Sequence, residues 1–259
     1  METAAYHEKT LFHMINHMLD GEHFLHRTEN GLIVANAHSP IWVATSKCSD
    51  TSDISTLFRA FLAENPYPIT AIVAKKNIAI TCADIICKEK RVYKERELVA
   101  YYLPNNRTTN LNKKNRACKL RLAGSDDILV VQKWLDYFYK ETLDASSPEH
   151  STDKPSTPYS GKMELFILAD PHPVAMGSLS GSGDTLRLNL IYTAKGERRK
   201  GYGSIVVSSL ADFAHQKGKS AMLYAFSDNT AANKLYIKLG FIEAGRLSEI
   251  RFHSALSIN

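Results

Sequence analysis

The stretch from Leu186 to Ala214, LRLNLIYTAKGERRKGYGSIVVSSLADFA, decides the fold of this chain. Its first residues, Leu186 to Tyr192, read as an apolar strand. Its last part opens a helix over about Gly203 to Lys217, with Ile205, Val206, Leu210 and Phe213 on one face and Gly218 as the stop. Between them lies Arg198-Arg199-Lys200-Gly201-Tyr202-Gly203-Ser204. Glycines let backbone N–H groups come close to an anion, and a helix start adds the positive end of its dipole at the same spot. Phosphate binding is the natural use of such a turn. It is neither a Walker loop nor the dinucleotide fingerprint, which need G-x-x-x-x-G-K-[ST] and G-x-G-x-x-G. On average composition R-x-x-G-x-[GA] arises by accident in roughly one chain in eight of this length, so the flanking sequence has to decide.

Working outward, the pattern stays regular. Lys119 to Ala123 reads as a strand, Ser125 as an N-cap with Asp126 and Asp127 in the first turn, and Ile128 to Leu143 as a helix with an aromatic face. Glu164 to Ala169, Val174 to Ser180 and Leu186 to Tyr192 form three strands separated by Pro- and Gly-containing turns, which is a meander. Beyond the glycine loop come a strand, Ala221 to Phe226, a helix, Thr230 to Leu239, stopped by Gly240, and one or two closing strands from Phe241. The fold class read here is α/β with a mixed sheet.

About 26 residues after Gly203, past one helix and one strand, stands SDNTAANKLYIKLGF, Ser227 to Phe241. The two segments in this order resemble the GNAT superfamily of acyl-CoA-dependent N-acyltransferases, over roughly Cys118 to Phe252. NLIYTAKGERRKGYG, SDNTAANKLYIKLGF and the terminal SEIRF look closest to a two-domain branch akin to the glycine N-acyltransferase-like group. The resemblance implies acetyl-CoA as co-substrate, no metal, and direct transfer to a primary amine. The backbone of Arg199, Lys200, Gly201, Gly203 and Ser204, within a loop that also contains Arg198 and Tyr202, would hold the coenzyme pyrophosphate. The strand Asn189, Leu190, Ile191, Tyr192 would pair with the pantetheine arm as an added strand and splay from its neighbour, with an N–H at Leu190 or Ile191 facing the developing oxyanion. Asn229 and Asn233 would contact pantetheine or its surroundings, and the Tyr236 phenol would face the sulfur as general acid.

A base that frees the amine is not assigned by the sequence. Members of the superfamily that carry a glutamate on the strand before the phosphate loop have no counterpart here, because Arg187, Asn189 and Ile191 are not carboxylates. Asp184, Asp228, Glu164 and Glu249 are candidates by their placement at strand ends. That departure motivates an alternative function, a coenzyme A-binding regulatory or sensor module without turnover.

The first part of the chain is mixed α and β: strands at Gly31 to Ala35, Ile41 to Thr45, Ile69 to Ala74 and Glu97 to Leu103, a helix opening at Asp53-Ile54-Ser55 and closed by Pro66 and Pro68, and a helix or apolar run at Ile78 to Cys87. An amphipathic helix carrying Leu11, Met14, Ile15, Met18 and Leu19 opens the chain, and its His13 and His17 lack the carboxylate partner of a metal site. The polar run PNNRTTNLNKKNR, residues 104 to 116, marks a boundary between domains 1–115 and 116–259. Of 13 glycines only Gly21 and Gly31 precede residue 124, so the first domain has no phosphate cradle and reads as a degenerate copy of the second or as a wall of the acceptor site. The proline-rich Asp144 to Gly161 reads as a lid or substrate loop, or equally as a plain mobile insertion.

Composition narrows the rest. At 259 residues the prior is about 1.7 domains, and 44% hydrophobic with 23% charged residues is ordinary globular usage. The net charge of +5 divides as +2 over residues 1–115 (14 basic, 12 acidic) and +3 over 116–259 (18 basic, 15 acidic). No basic tail is left to track a phosphate backbone, so nucleic acid is not an expected partner. Four cysteines without a C-x-x-C pair, no signal-peptide pattern and no run of 18 apolar residues give the expectation of a cytoplasmic protein off the membrane. A homodimer is compatible with all of this.

Overall fold

The computed structural model describes Met14 and residues 22–29, 31–37, 40–45, 50–87, 93–110, 118–142, 163–181 and 183–256. The expected helix at 11–19 (apart from Met14, which is helical and buried), the boundary residues 111–117 and the proline-rich 144–161 lie outside them.

Among the described residues eleven strands form one sheet: β1 (Phe24–Arg27), β2 (Gly31–Ala35), β3 (Ile41–Thr45), β4 (Ile69–Ala74), β5 (Tyr93–Leu103), β6 (Lys119–Leu122), β7 (Met163–Ala169), β8 (Pro173–Ser180), β9 (Thr185–Thr193), β10 (Ser220–Phe226) and β11 (Ile242–Leu256). The helices are α1 (Thr51–Glu64), α2 (Lys76–Cys87), α3 (Ile128–Thr142), α4 (Tyr202–Gln216) and α5 (Thr230–Lys238). The spatial order is β1-β2-β3-β4-β11-β5-β10-β9-β8-β7-β6.

Read from its two ends, that order repeats itself. β1-β2-β3 and β7-β8-β9 are antiparallel meanders. In each half a helix, α1 or α4, leads from the third strand into a parallel neighbour, β4 or β10. A second helix, α2 or α5, then leads to a final strand, β5 or β11. The final strands are exchanged: β11 pairs with β4, β5 pairs with β10, and the two pair with each other from Tyr93 with Phe252 to Tyr102 with Ile242. The sheet therefore runs without a break across both sequence halves, and neither half contains all of its own strands.

The four helices α1, α2, α4 and α5 cover one face, since alternate residues of β5 (Tyr93, Val99, Tyr101, Leu103) pack into the clusters beneath them. The opposite face holds Val34, Trp42, Val73, Leu98, Ala100, Met222 and Leu247 at its centre, with α3 over β7 to β9 at one side. Trp42 of β3 and Tyr224 of β10 stand four strand positions apart, about 19 Å in a flat sheet at ~4.8 Å per strand. Their rings are nevertheless 5.6 Å apart, so the sheet coils toward this face and the first half closes one side of it.

Most expected elements appear within a residue or two. Two boundaries differ for a local reason. Helix α1 begins at Thr51, because Asp50 accepts a hydrogen bond from the Ser52 N–H at 3.0 Å and caps it earlier than Asp53 would. At the start of α3 the cap is a carboxylate rather than Ser125: Asp127 accepts the Gly124 N–H at 2.7 Å and a two-pronged ion pair from Arg121 at 2.5 and 2.9 Å. Those donors hold the Asp127 carboxyl below the usual carboxylate range, although burial opposes them.

Candidate functional site

The site is built where β9 and β10 part. Their parallel pairing is confined to three rungs, Thr185 with Ser220, Leu186 with Ala221 and Arg187 with Met222; beyond these, Leu188 to Thr193 and Leu223 to Phe226 diverge. On the other side of β9, the pairs Ser178 with Asn189 and Met176 with Tyr192 leave Leu190 and Ile191 opposite Gly177 alone. This is a β-bulge, and Leu190 takes the left-handed conformation at φ 50° to make it. The bulge inverts the strand's alternation. Leu186 and Leu188 lie under α4, whereas Leu190 and Tyr192 point to the α3 face. Helix α4 then seats closely on β8, since a Cβ on Gly177 would stand 2.7 Å from Val206 and 2.8 Å from Leu210.

The loop leaving β9 has the backbone form of an anion cradle. Arg199 (φ 64°) and Gly201 (φ 86°) are both left-handed, and Gly201 stands at the N-cap of α4 with no side chain satisfying the first-turn N–H groups. A Cβ on Gly203 would meet only the Thr193 Oγ1 at 3.6 Å and Leu235 of α5 at 3.8 Å. The side chains around the cradle are committed elsewhere. Arg198 pairs with Glu141 at 2.7 Å, donates to the Thr193 carbonyl at 3.1 Å and stacks on Tyr192 at 5.4 Å. Lys200 pairs with Glu197 at 2.9 Å, and the Tyr202 phenol reaches away to Asp170 at 2.8 Å, which raises its pKa. Ser204 is half-buried in the first turn of α4.

The corresponding helix of the first half, α1, starts on Asp50 with Asp53 in its first turn. Carboxylates occupy the place where an anion would approach.

On the helix face, Tyr236 of α5 is buried between Tyr101, with ring centroids 5.4 Å apart, and Phe241, at 6.2 Å. Burial raises its phenol well above the usual tyrosine range, with Tyr101 adding to the effect. Asn233 spends both ends of its amide on the fold, donating to the Phe226 and Ser227 carbonyls and accepting the Tyr101 hydroxyl at 3.1 Å. Asn229 caps α5 by accepting the Ala232 N–H at 3.2 Å. The glycine loop, the parted strands and the start of α5 thus share one corner of the molecule.

The candidate bases fare unevenly. Asp228 is held by Arg96, Glu164 by Lys217 at 3.3 Å, and Asp184 is exposed in the β8–β9 turn. Only Glu249 is buried, and it pairs with Arg251 at 3.2 Å. Arg96 itself was not singled out from the sequence. It stacks on Phe226 at 3.4 Å, grips Asp228 and donates to the Thr142 carbonyl, fastening the end of β10 to the end of α3. Among the described residues no group of His, Cys, Asp and Glu is arranged to hold a metal ion. No helix among them is long and apolar enough to cross a membrane.

Residues 182–251, the segment that contains the parted strands, the loop and α5, match the FR47-like protein family model. No curated protein matches the chain. Among solved structures, a GCN5-related N-acetyltransferase from Kribbella flavida is similar with a TM-score of 0.62 at 13% identity, over 94% of each chain. An acetyltransferase from the GNAT family of Colwellia psychrerythraea is similar with a TM-score of 0.54 at 16% identity, over 95% of each chain. A conserved protein from Staphylococcus epidermidis reaches 0.62 at 14% identity, over 91% of this chain and 95% of its own. At these identities the likeness is one of fold, and it extends over both halves of the sheet.

Proposed function

We propose that this chain, which has the GCN5-related N-acetyltransferase fold, transfers the acetyl group of acetyl-CoA to a primary amine within a ternary complex. The observation that carries the proposal is the parting of β9 and β10 beside a glycine-built helix start. Backbone N–H groups of Arg199 to Ser204 hold the coenzyme pyrophosphate, and Arg198 shapes their loop through Glu141 and Tyr192. The free edge of β9 at Asn189 to Tyr192 receives the pantetheine arm, and the left-handed Leu190 turns its neighbouring N–H groups out of the ladder toward the thioester oxygen. Asn233 and Asn229 act by fixing the corner rather than by sparing an amide.

In the reaction the amine nitrogen bonds to the acyl carbon as the carbon–sulfur bond breaks. The sulfur leaves with its electron pair and takes a hydrogen bond or proton from Tyr236, while the amine proton passes to water or a base. A buried, protonated phenol suits that task, because it stays a donor throughout the working pH range. On the same reading residues 1–115 are a degenerate copy of 116–259 that has lost its cradle to Asp50 and Asp53.

The test is the melting temperature with and without acetyl-CoA. Ligand at 100 times its dissociation constant stabilises by about 2.7 kcal/mol. A rise that Gly203→Val abolishes supports the site; no rise at millimolar ligand rejects it. The pairing of Asp228, Glu164 and Glu249 with cations favours one second reading, a coenzyme A sensor without turnover. Binding without thiol release across a broad amine panel would select it.

A further inference from the structure

Antiparallel register places Ser180 opposite Arg187 and Ser178 opposite Asn189, so these four side chains stand on one face, the face that carries α3 and Tyr192. It is the face away from the glycine loop's helix, on the far side of the gap between β9 and β10. Arg187 occupies the last paired rung before the strands part. Its guanidinium lies over the Tyr224 ring at 6.0 Å, its Nε is buried without a hydrogen-bond partner, and among the described residues no carboxylate forms an ion pair with it. The Ser178 Oγ, two residues from Ser180 on the neighbouring strand, is likewise buried without a partner. Two unsatisfied buried polar groups on one face are an exception to the rule that buried polar groups are hydrogen-bonded. Burial also pushes the Arg187 guanidinium down from the usual arginine range, the Tyr224 phenol alone opposing it.

Resting on the acyltransferase reading, we infer that this strip binds a carboxylate of the substrate through Arg187, with Ser178 as a flanking hydrogen-bond donor. A partly buried guanidinium whose Nε is unpaired is satisfied by a planar anion that takes two parallel N–H bonds. A polycationic amine would bring further positive charge against it, and an amine without a carboxylate would leave its free edge unpaired, so both are the wrong partners. Leu190, beside the expected reaction centre, is three residues along the strand, about 10 Å at ~3.3 Å per residue. A long arginine side chain and a ligand of a few bonds span that distance together, which points to an amino-acid-sized acceptor or to a short dicarboxylic acyl chain.

The test uses the full chain and matched substrates. With acetyl-CoA, amino acids are compared with their amides and decarboxylated amines by thiol release; in a second arm, succinyl-CoA replaces acetyl-CoA with the uncharged amines. A preference of about 100-fold or more in kcat/KM for the carboxylate in the first arm assigns it to the acceptor, and in the second arm to the acyl chain. Arg187→Gln should erase the preference and Arg187→Lys keep part of it, while the affinity for acetyl-CoA, read by calorimetry, stays within about twofold. If acid, amide and amine react equally in both arms, or if Arg187→Gln keeps the preference, the inference falls. If Arg187→Gln does not fold, Arg187→Lys and Arg187→Met take its place with the same readout. Failure of acetyl-CoA to bind the wild-type chain would overturn the acyltransferase reading itself, and is seen separately in the melting experiment.

Discussion

On the proposed reading Tyr236 and Gly203 carry separable parts of the reaction, and substitution at each should show it. Tyr236→Phe removes one hydroxyl from a packed ring, so the stack against Tyr101 and Phe241 survives and coenzyme affinity should be unchanged, while kcat falls about 100-fold. Retention of full turnover in that variant would reduce Tyr236 to packing. Because burial raises the folded phenol's pKa above its unfolded value near 10, its contribution to stability is complete below about pH 10 and is lost as the pH rises through the folded value. An alkaline limb of kcat below pH 10 should therefore persist unchanged in Tyr236→Phe, which a pH–rate profile checks. Gly201 was legible from the sequence because only glycine takes φ 86° without strain, and Gly203 because the loop needed room. The left-handed bulge at Leu190 and the buried Nε of Arg187 were not. A leucine in a left-handed bulge breaks the usual preference, and an arginine within an alternating strand gives no sign that its Nε will be buried.

At the scale of the element, α3 begins on a carboxylate that accepts from three donors, two on Arg121 and the Gly124 N–H, and its stability should follow that carboxylate. Asp127 is nearly inaccessible, whereas its partner Arg121 is about half exposed, so solvent screens part of the pair. With its folded pKa held below the unfolded value near 3.8, Asp127 contributes stability that is present above that value and is lost as the pH falls through the folded one. Asp127→Asn should cost about 1–3 kcal/mol at pH 7, and its melting temperature should depend less on pH between about 2 and 4 than that of the wild type. Equal slopes in thermal melts across that window would contradict the assignment. The acidic first turn of α3 was readable in the sequence, but the choice of Asp127 over Ser125 as the cap was not, because it depends on Arg121 reaching back from β6. The same limit applies to Asn229 and Asn233: their positions were legible, and their commitment to Ala232, Phe226 and Tyr101 came from partners distant in sequence.

For the whole molecule, most helices and strands could be read from apolar periodicity, although not β1 or the first four residues of β5, but the exchange of β5 and β11 could not, since a strand's pattern does not say which of two similar edges it joins. The exchange predicts that residues 1–115 and 116–259, expressed separately, will each fail to give a cooperative thermal transition, and that mixing them restores one. Two independent transitions from the separate halves, followed by circular dichroism, would show that each sheet is self-sufficient. Coiling of the sheet gives the first half a second task, because Trp42 closes on Tyr224 next to Arg187. Trp42→Ala should therefore alter KM for the acceptor more than the affinity for acetyl-CoA.

Strand exchange also sets an order of events during synthesis. β4 and β5 are made early, yet the strand that lies between them, Ile242–Leu256, begins about 140 residues after β5 ends at Leu103. At about 5–20 residues per second the two edges wait some 7–30 s with their N–H and C=O groups unpaired. Over that interval the nascent chain is a template for any other extended segment, including the same strand of a neighbouring copy on the same messenger. The fold thus places its most aggregation-exposed moment on the ribosome, before the protein is complete.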